Sequence, residues 1–134
     1  MSVENRIAEL EHLAYHDPLT GLLNRNWLNK YLPNFDHKFV YFIDINNLRE
    51  INKQGHTMGD AHIKLCARDA DSRLNTGDLL IRYAGDEFVA LSELSGVLNT
   101  NGLYTVGVVM RKKYEHILGA IERADQKMIA EKRR

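Results

Sequence analysis

The residues with the clearest potential for chemistry are Asp86 and Glu87, two adjacent carboxylates that follow Gly85. Apolar runs at 79–81 and 88–91 flank them, and two such runs around a short glycine-containing element are typical of a β-hairpin. Gly85 can supply the positive φ that a tight turn requires. Because adjacent like charges repel, a bound cation would stabilise the pair, and hard oxygen ligands suit Mg²⁺. The sequence therefore predicts a hairpin whose tip carries a cation-binding pair of acids.

A third acid, Asp44, ends the apolar run 39–43, which predicts a strand buried on both faces. Ligands of α/β folds usually lie at the carboxyl ends of such strands. If this strand pairs with the hairpin, Asp44 converges with Asp86 and Glu87. Three carboxylates around one point would make a Mg²⁺ site for phosphoryl or nucleotidyl transfer.

Hydrophobic periodicity predicts the elements that position these acids. The predicted helices are an opening helix with apolar residues at 3, 7, 10 and 14, a helix over 22–31, a short helix over 47–53, a longer one from 60 and a closing helix over about 117–128. The predicted strands cover 39–45, 79–83, 88–92 and 104–110, with turns at 33–36 and 75–78. The link over 93–102 is rich in glycine and asparagine, which disfavour a helix. The pattern indicates one α/β (α+β) domain.

Composition excludes several classes of protein. The chain has 134 residues, which is one domain, and its 18 basic and 18 acidic residues give zero formal net charge. The sequence contains no basic stripe of the kind that binds nucleic acid. It also lacks a polybasic amphipathic helix, an apolar run of membrane-spanning length and a signal peptide, so nothing in it indicates a membrane. Cys66 is the only cysteine, so no internal disulfide can form. We expect a cytoplasmic protein.

Five motifs in register resemble those of the GGDEF family, the diguanylate cyclases. They are DPLTGLLNR at 17–25, DINNLREIN at 44–52, GHTMGD at 55–60, AGDEF at 84–88 in place of GGDEF, and the closing Ala124-Asp125 with Lys132. The resemblance runs from about Ala14 to Lys132. It implies a palm-like βαββαβ nucleotidyl-cyclase sheet with helices packed on it, in which the second crossover helix is shortened. It also implies an N-terminal dimer or signalling helix over 1–16 and a GGDEF domain over 17–134, either free-standing or excised from a longer protein.

The resemblance implies that two domains of a homodimer each bind GTP and face each other, with Mg²⁺ (or Mn²⁺) as cofactor. The 3′-hydroxyl of each GTP attacks the α-phosphate of the other, pyrophosphate leaves from each, and cyclic di-GMP forms. Positioning and charge neutralisation carry such catalysis. By motif position the metal ligands are Asp44, the backbone carbonyl of Ile45, Asp86 and Glu87. Asp86 and Glu87 are the catalytic residues, and Glu87 helps to deprotonate the attacking hydroxyl.

The resemblance also assigns substrate contacts. Asn52 and Asp60 match the guanine-reading positions, where a carboxylate accepts from the two N–H donors of guanine. The alternative is that Asn52 is a helix C-cap and Asp60 a helix N-cap. The other matching positions would bind the phosphates; they are the backbone near Asn47 and Leu48 and the side chains of Arg49 and Lys132. The alternative for both cations is that they are solvated surface charges. Arg82 is expected to pair with an acid rather than with substrate.

Several departures from the family pattern leave alternatives open. Asn46 replaces the second acid of the family's DID, and Asn75 replaces the arginine of its inhibitory RxxD site, so we expect no intact product site. The chain then fits an active cyclase, a degenerate relative that binds GTP or a cyclic dinucleotide as a regulatory module, or a scaffold that only dimerises. Because the 93–102 link is short, we expect one sheet face to be less covered than usual, and we hypothesise that the opening helix or a second subunit covers it.

Overall fold

A five-stranded mixed sheet with helices on both faces forms the domain in this computed structural model, which describes residues 2–31 and 36–134. The strands are β1 (Leu23–Asn24), β2 (Phe39–Ile45), β3 (Leu79–Ala84), β4 (Glu87–Ser92) and β5 (Tyr104–Met110). The helices are α1 (Val3–Tyr15), α2 (Arg25–Tyr31), α3 (Leu48–Asn52), α4 (His56–Ser72) and α5 (Ile117–Lys132). Most of the turn predicted at 33–36 lies outside the described residues.

The sheet order is β1-β3-β4-β2-β5, with β1 parallel to β3 and the other pairs antiparallel. β2 is therefore an interior strand, paired with β4 on one side and β5 on the other, and its side chains alternate between two cores. Val40 and Phe42 lie in the cluster under α2 and α5, whereas Tyr41 and Ile43 lie in the cluster under α4. This confirms the predicted α+β class and the strand buried on both faces.

The close packing of α5 on β5 depends on Gly107. A Cβ at this position would lie 2.2 Å from the carbonyl oxygen of Ala124 and 2.3 Å from the amide nitrogen of Met128. The backbone of α5 thus rests directly on the backbone of β5, where no larger residue fits. This approach brings the last turn of α5 towards the end of β2.

Two predicted helix boundaries were wrong. α2 begins at Arg25 and not at residue 22, because Leu23 and Asn24 pair in parallel with Ile81 and Arg82 of β3. α4 begins at His56 and not at Asp60, since only three residues (53–55) separate the two helices and Gly55, at φ 117°, is the N-cap. The segment 56–59, predicted as a break, is the first turn of α4.

The hypothesis about the opening helix was also wrong. α1 has no buried residue and contacts α2, where the Lys30 ammonium donates a 2.8 Å hydrogen bond to the hydroxyl of Tyr15. The 93–102 link itself covers part of the sheet through Leu98, which is only 1% exposed. The same face stays open further along β5, where Val108 and Met110 are 40% and 55% exposed. The expectation of incomplete cover is therefore confirmed, and a second subunit there stays a prediction.

No helix among the described residues is long and apolar enough to cross a membrane.

Candidate functional site

The sheet itself brings the three predicted acids to one edge. Asp44, the sixth residue of β2, is paired in register with Glu87, the first residue of β4. The amide of Ile45 donates a 2.9 Å hydrogen bond to the carbonyl oxygen of Asp86. The end of β2 and the hairpin tip are thus held together by backbone bonds, which do not depend on the acidic side chains.

Asp44 is a half-buried carboxylate with one paired and one unpaired oxygen. Its Oδ2 lies 2.7 Å from Nζ of Lys132, and its Oδ1 is buried without a hydrogen-bond partner among the residues that the structure describes. Burial raises the pKa of Asp44, and the nearby Asp86 adds to the rise, whereas Lys132 opposes it. An orphaned buried carboxylate oxygen beside a second acid is an environment that a cation would stabilise.

Glu87 lies in an acidic environment. Burial raises its pKa, and the charges of Asp86, Asp44 and Asp125 raise it further, while Arg25 opposes them. A carboxyl whose pKa is raised in this way is a better proton acceptor than an ordinary glutamate. The direction of this pKa shift agrees with proton transfer by Glu87, a role that stays a prediction.

Two charged residues near Glu87, Arg25 and Asp125, were not predicted as site residues, although both belong to motifs. The Arg25 guanidinium lies 4.1 Å above the ring centre of Tyr83 and donates a 3.0 Å hydrogen bond to its hydroxyl. Burial raises the pKa of Asp125, and Glu122 adds to the rise. The available signal in the sequence was that Arg25 ends the first motif and that Asp125 belongs to the closing motif.

The acids at this edge fit a divalent metal that brings other ligands with it. Among residues 2–31 and 36–134, no group of three or more His, Cys, Asp or Glu side chains is arranged to hold a metal. Mg²⁺, however, usually takes only one or two protein carboxylates and completes its shell with water and substrate phosphates. Asp44, with its orphaned oxygen, and the neighbouring Asp86 meet that requirement. Ile45 and Glu87 as further ligands stay a prediction.

Neither of the predicted guanine-reading residues is a helix cap, so the capping alternative was wrong. α3 ends on the C-cap Lys53, α4 starts from the N-cap Gly55, and Asp60 is the fifth residue of α4. Both Asn52 and Asp60 are exposed, and no hydrogen bond or ion pair links either side chain to another described residue. They are free to contact a ligand, and α3 and α4 hold them near each other.

The predicted phosphate contacts are divided between two places. Asn47 is in the left-handed region at φ 61° and precedes Leu48, the first residue of α3, while Arg49 is exposed. Lys132 instead lies at the acidic edge on Asp44. The structure thus places Lys132 beside the candidate metal site and leaves Arg49 on the surface.

Arg82 pairs with an acid, as predicted. Its guanidinium donates to Oδ1 of Asp17 at 2.9 Å and to the carbonyl oxygen of Gly85 at 2.8 Å. The other carboxylate oxygen of Asp17 accepts from the amide and the hydroxyl of Thr20. The first motif is thereby tied to the hairpin tip that carries the acids.

Asn46 and Asn75, the two replacements that depart from the family pattern at its functional positions, both take part in local hydrogen bonds. The Asn46 amide donates to the carbonyl of Asn101 at 3.2 Å and accepts from the hydroxyl of Thr105 at 2.8 Å. It therefore anchors the start of β5 and does not extend the acidic edge. In the 75–78 turn, Oδ2 of Asp78 accepts from the amide of Asn75 at 2.8 Å.

Comparison with known proteins agrees with this geometry. Residues 14–97 match the family described as "Diguanylate cyclase, GGDEF domain". The chain is 36% identical over 92 residues to the diguanylate cyclase DgcM of Escherichia coli, an alignment that covers 62% of this chain and 22% of DgcM. It is 35% identical over 97 residues to the cyclic di-GMP phosphodiesterase NbdA of Pseudomonas aeruginosa, covering 66% of this chain and 12% of NbdA. The chain thus spans under a quarter of the length of either relative.

The fold also matches a solved structure. The coiled coil and GGDEF domain of DgcB from Caulobacter crescentus, solved in complex with c-di-GMP, superposes with a TM-score of 0.83 at 20% identity. The match covers 98% of this chain and 87% of that one. At this identity the likeness establishes the fold alone.

Proposed function

The chain belongs to the GGDEF, or diguanylate cyclase, domain family, and from that premise we propose that it condenses two molecules of GTP into cyclic di-GMP. The observation that carries the proposal is the acidic edge formed by Asp44, Asp86 and Glu87, with the orphaned oxygen of Asp44 at its centre. Buried carboxylate oxygens in native proteins are usually hydrogen-bonded, so the orphaned oxygen of Asp44 calls for a ligand.

The metal would be held by Asp44 and Asp86, with the carbonyl of Ile45 and the side chain of Glu87 next to it. When bound, a divalent cation supplies positive charge to the triphosphate and completes its coordination through phosphate oxygens. The protein's own contribution is to fix these acids on a rigid strand and hairpin. That arrangement needs no rearrangement of the backbone when substrate arrives.

The remaining residues act on the two ends of the nucleotide. Asn52 and Asp60 bind the guanine base, and Asp60 accepts from its N1–H and N2–H₂ donors. Arg49, Lys132 and the backbone near Asn47 and Leu48 contact the phosphates. Glu87 accepts the proton of the attacking 3′-hydroxyl, a role that its raised pKa supports.

A cyclisation between two GTP molecules requires two domains, and α1 offers a surface for pairing. Val3, Ile7, Leu10 and Leu13 are all at least half exposed, and none contributes to the core of this chain. We assign the partner-facing role to segment 1–16, which carries α1, and the catalytic domain to 17–134. Burying this apolar stripe against a second copy would stabilise the dimer.

A regulatory module that binds GTP or a cyclic dinucleotide without turnover is the second candidate. The observation that favours it is the ion pair between Lys132 and Asp44, because an ammonium group already neutralises the acid that the metal needs. The relationship to NbdA, whose name assigns phosphodiesterase activity to a much longer protein, shows that similar sequences occur beside other activities.

The decisive experiment is incubation of the purified chain with GTP and Mg²⁺, followed by chromatographic and mass-spectrometric analysis of the products. We expect cyclic di-GMP and pyrophosphate from the wild type and none from Asp86→Ala or Glu87→Ala. Glu50→Ala is the matched control, because Glu50 is an exposed acid whose ion pair is with the equally exposed Lys53. Equal product from the two site variants would reject the metal site, whereas GTP binding without product would favour the regulatory module.

A further inference from the structure

The carboxamide of Asn52 occupies the space that a side chain at position 59 would need. A Cβ built on Gly59 would lie 1.7 Å from Oδ1 of Asn52 and 2.9 Å from its Cγ. Side-chain contacts this short do not occur in folded proteins, so any residue larger than glycine at 59 must displace Asn52. Gly59 itself is buried, although its neighbours in the first turns of α4 are exposed.

The backbone of Gly59 offers no other reason for a glycine. It lies inside α4 and, unlike Gly55 at φ 117°, does not have a positive φ. Glycine is less favourable than alanine in the interior of a helix, so its presence at position 59 weakens α4. The contact with Asn52 is the feature that requires it, since the nearest atoms to a Cβ at 59 all belong to Asn52.

We propose that Gly59 is a positioning residue for nucleobase recognition. Because Gly59 has no side chain, the Asn52 carboxamide can occupy the space next to its Cα and lie beside Asp60. The amide and the carboxylate then present a fixed pair of polar groups to guanine. This inference rests on the proposed function, because it concerns how the same site reads its base. Asn52 has no hydrogen bond to another described side chain, so its position depends on this packing contact.

The first test compares steady-state kinetics of Gly59→Ala with those of Gly119→Ala. Gly119 is a matched control, because it is also a helical glycine but a Cβ there would meet nothing closer than 3.8 Å. For Gly59→Ala we expect the KM for GTP to rise about tenfold, the loss expected for one hydrogen bond to the base, with little change in kcat. Gly119→Ala should leave both constants unchanged.

A double-mutant cycle separates positioning from general damage to the fold. In the Asn52→Ala background the obstructing amide is gone, so adding Gly59→Ala should cause no further rise in KM. It should also raise the melting temperature, because alanine favours the helix. An additive rise in KM, or a KM for Gly59→Ala equal to that of the wild type, would overturn the inference.

A measurement without nucleotide distinguishes failure of this inference from failure of the proposed function. The side-chain amide signals of Asn52 in a ¹⁵N-correlated NMR spectrum, assigned by their loss in Asn52→Ala, should shift in Gly59→Ala and stay in place in Gly119→Ala. Unmoved signals would refute the contact even in an active cyclase. If the signals shift in Gly59→Ala but the wild type neither binds nor converts GTP, the proposed function is rejected, and nucleobase positioning with it.

Discussion

Lys132 in the last turn of α5 lies 2.7 Å from Oδ2 of Asp44 at the end of β2, so the closing helix neutralises the acid at the candidate metal site. Gly107 permits this contact, because it lets α5 pack directly on β5. We expect the ammonium and a bound metal to compete for this carboxylate. Binding of metal and GTP would free Lys132 for a phosphate oxygen, the contact that its motif position implies.

Lys132→Met should therefore strengthen metal binding while it weakens GTP binding. Removal of the ammonium leaves both oxygens of Asp44 available, so we expect the affinity for Mn²⁺, measured by calorimetry without nucleotide, to rise several-fold. The KM for GTP should rise because a phosphate contact is lost. Lys127→Met, an exposed lysine on the same helix, is the control. Unchanged or weaker Mn²⁺ binding in Lys132→Met would contradict the competition.

Glu87→Gln should stabilise the ligand-free protein at neutral pH while it abolishes product formation. Burial and three neighbouring acids raise the pKa of Glu87 in the folded state. The stability from its protonated form is complete below the unfolded pKa, about 4.3, and is lost as the pH rises through the folded value. At pH 7.5 the ionised side chain thus destabilises the fold, and glutamine removes that cost.

The measurement is thermal unfolding of both proteins at pH 7.5 and at about pH 4, where Glu87 of the wild type is largely protonated. We expect Glu87→Gln to melt higher at pH 7.5 and to lose this advantage at the lower pH. Glu50→Gln, at an exposed site, should change neither melting temperature appreciably. A variant that melts lower than the wild type at pH 7.5 would show that Glu87 stabilises the fold.

Asp17→Asn should destabilise the protein at neutral pH but not in acid. Burial raises the pKa of Asp17, but the hydrogen bonds from Thr20 and the charge and hydrogen bond of Arg82 outweigh burial and lower it. The stability from the carboxylate is therefore present above the unfolded pKa, about 3.9, and is lost as the pH falls through the folded value. The Asp17 and Arg82 side chains are only 14% and 16% exposed, so breaking this ion pair should cost about 2–3 kcal/mol at pH 7.

Urea unfolding at pH 7 and pH 3 would measure this effect, and a double-mutant cycle with Arg82→Met would isolate the ion pair. The variants should also lose activity, because Arg82 holds the carbonyl of Gly85 at the hairpin tip. A constant stability difference across the two pH values would mean that the charge of Asp17 is not the source of its contribution.

Patterns confined to short segments predicted most of the fold. The buried strand β2 and the hairpin follow from apolar runs bounded by acids and glycine, and β5 follows from its alternation. β1 was missed because it has only two residues, and its parallel partner β3 lies over fifty residues away in sequence. The start of α4 was misplaced because Gly59 indicates a break, whereas its role is to accommodate Asn52.

The candidate site was predictable where it depends on motif spacing and strand pairing, as for Asp44 and Glu87. The ion pair between Lys132 and Asp44 was not, because it arises from the packing of α5 against Gly107, between residues far apart in sequence. The surroundings of Glu87 were missed for the same reason, since Arg25 and Asp125 reach it from separate helices. Tertiary packing sets the charges around the acids, and local sequence patterns do not report it.

The 75–78 turn should not bind the product tightly. Asp78 accepts the amide of Asn75 at 2.8 Å and so stabilises its own turn, and no guanidinium is present at position 75 to hold a guanine or a phosphate. Calorimetry with cyclic di-GMP should therefore detect no tight binding at this turn, and Asn75→Arg should create measurable binding by restoring the missing cation. Tight binding to the wild type that Asp78→Ala abolishes would contradict the prediction. Tight binding that Asp78→Ala leaves intact would instead place the product at the acidic edge, and Asp44→Ala should then weaken it.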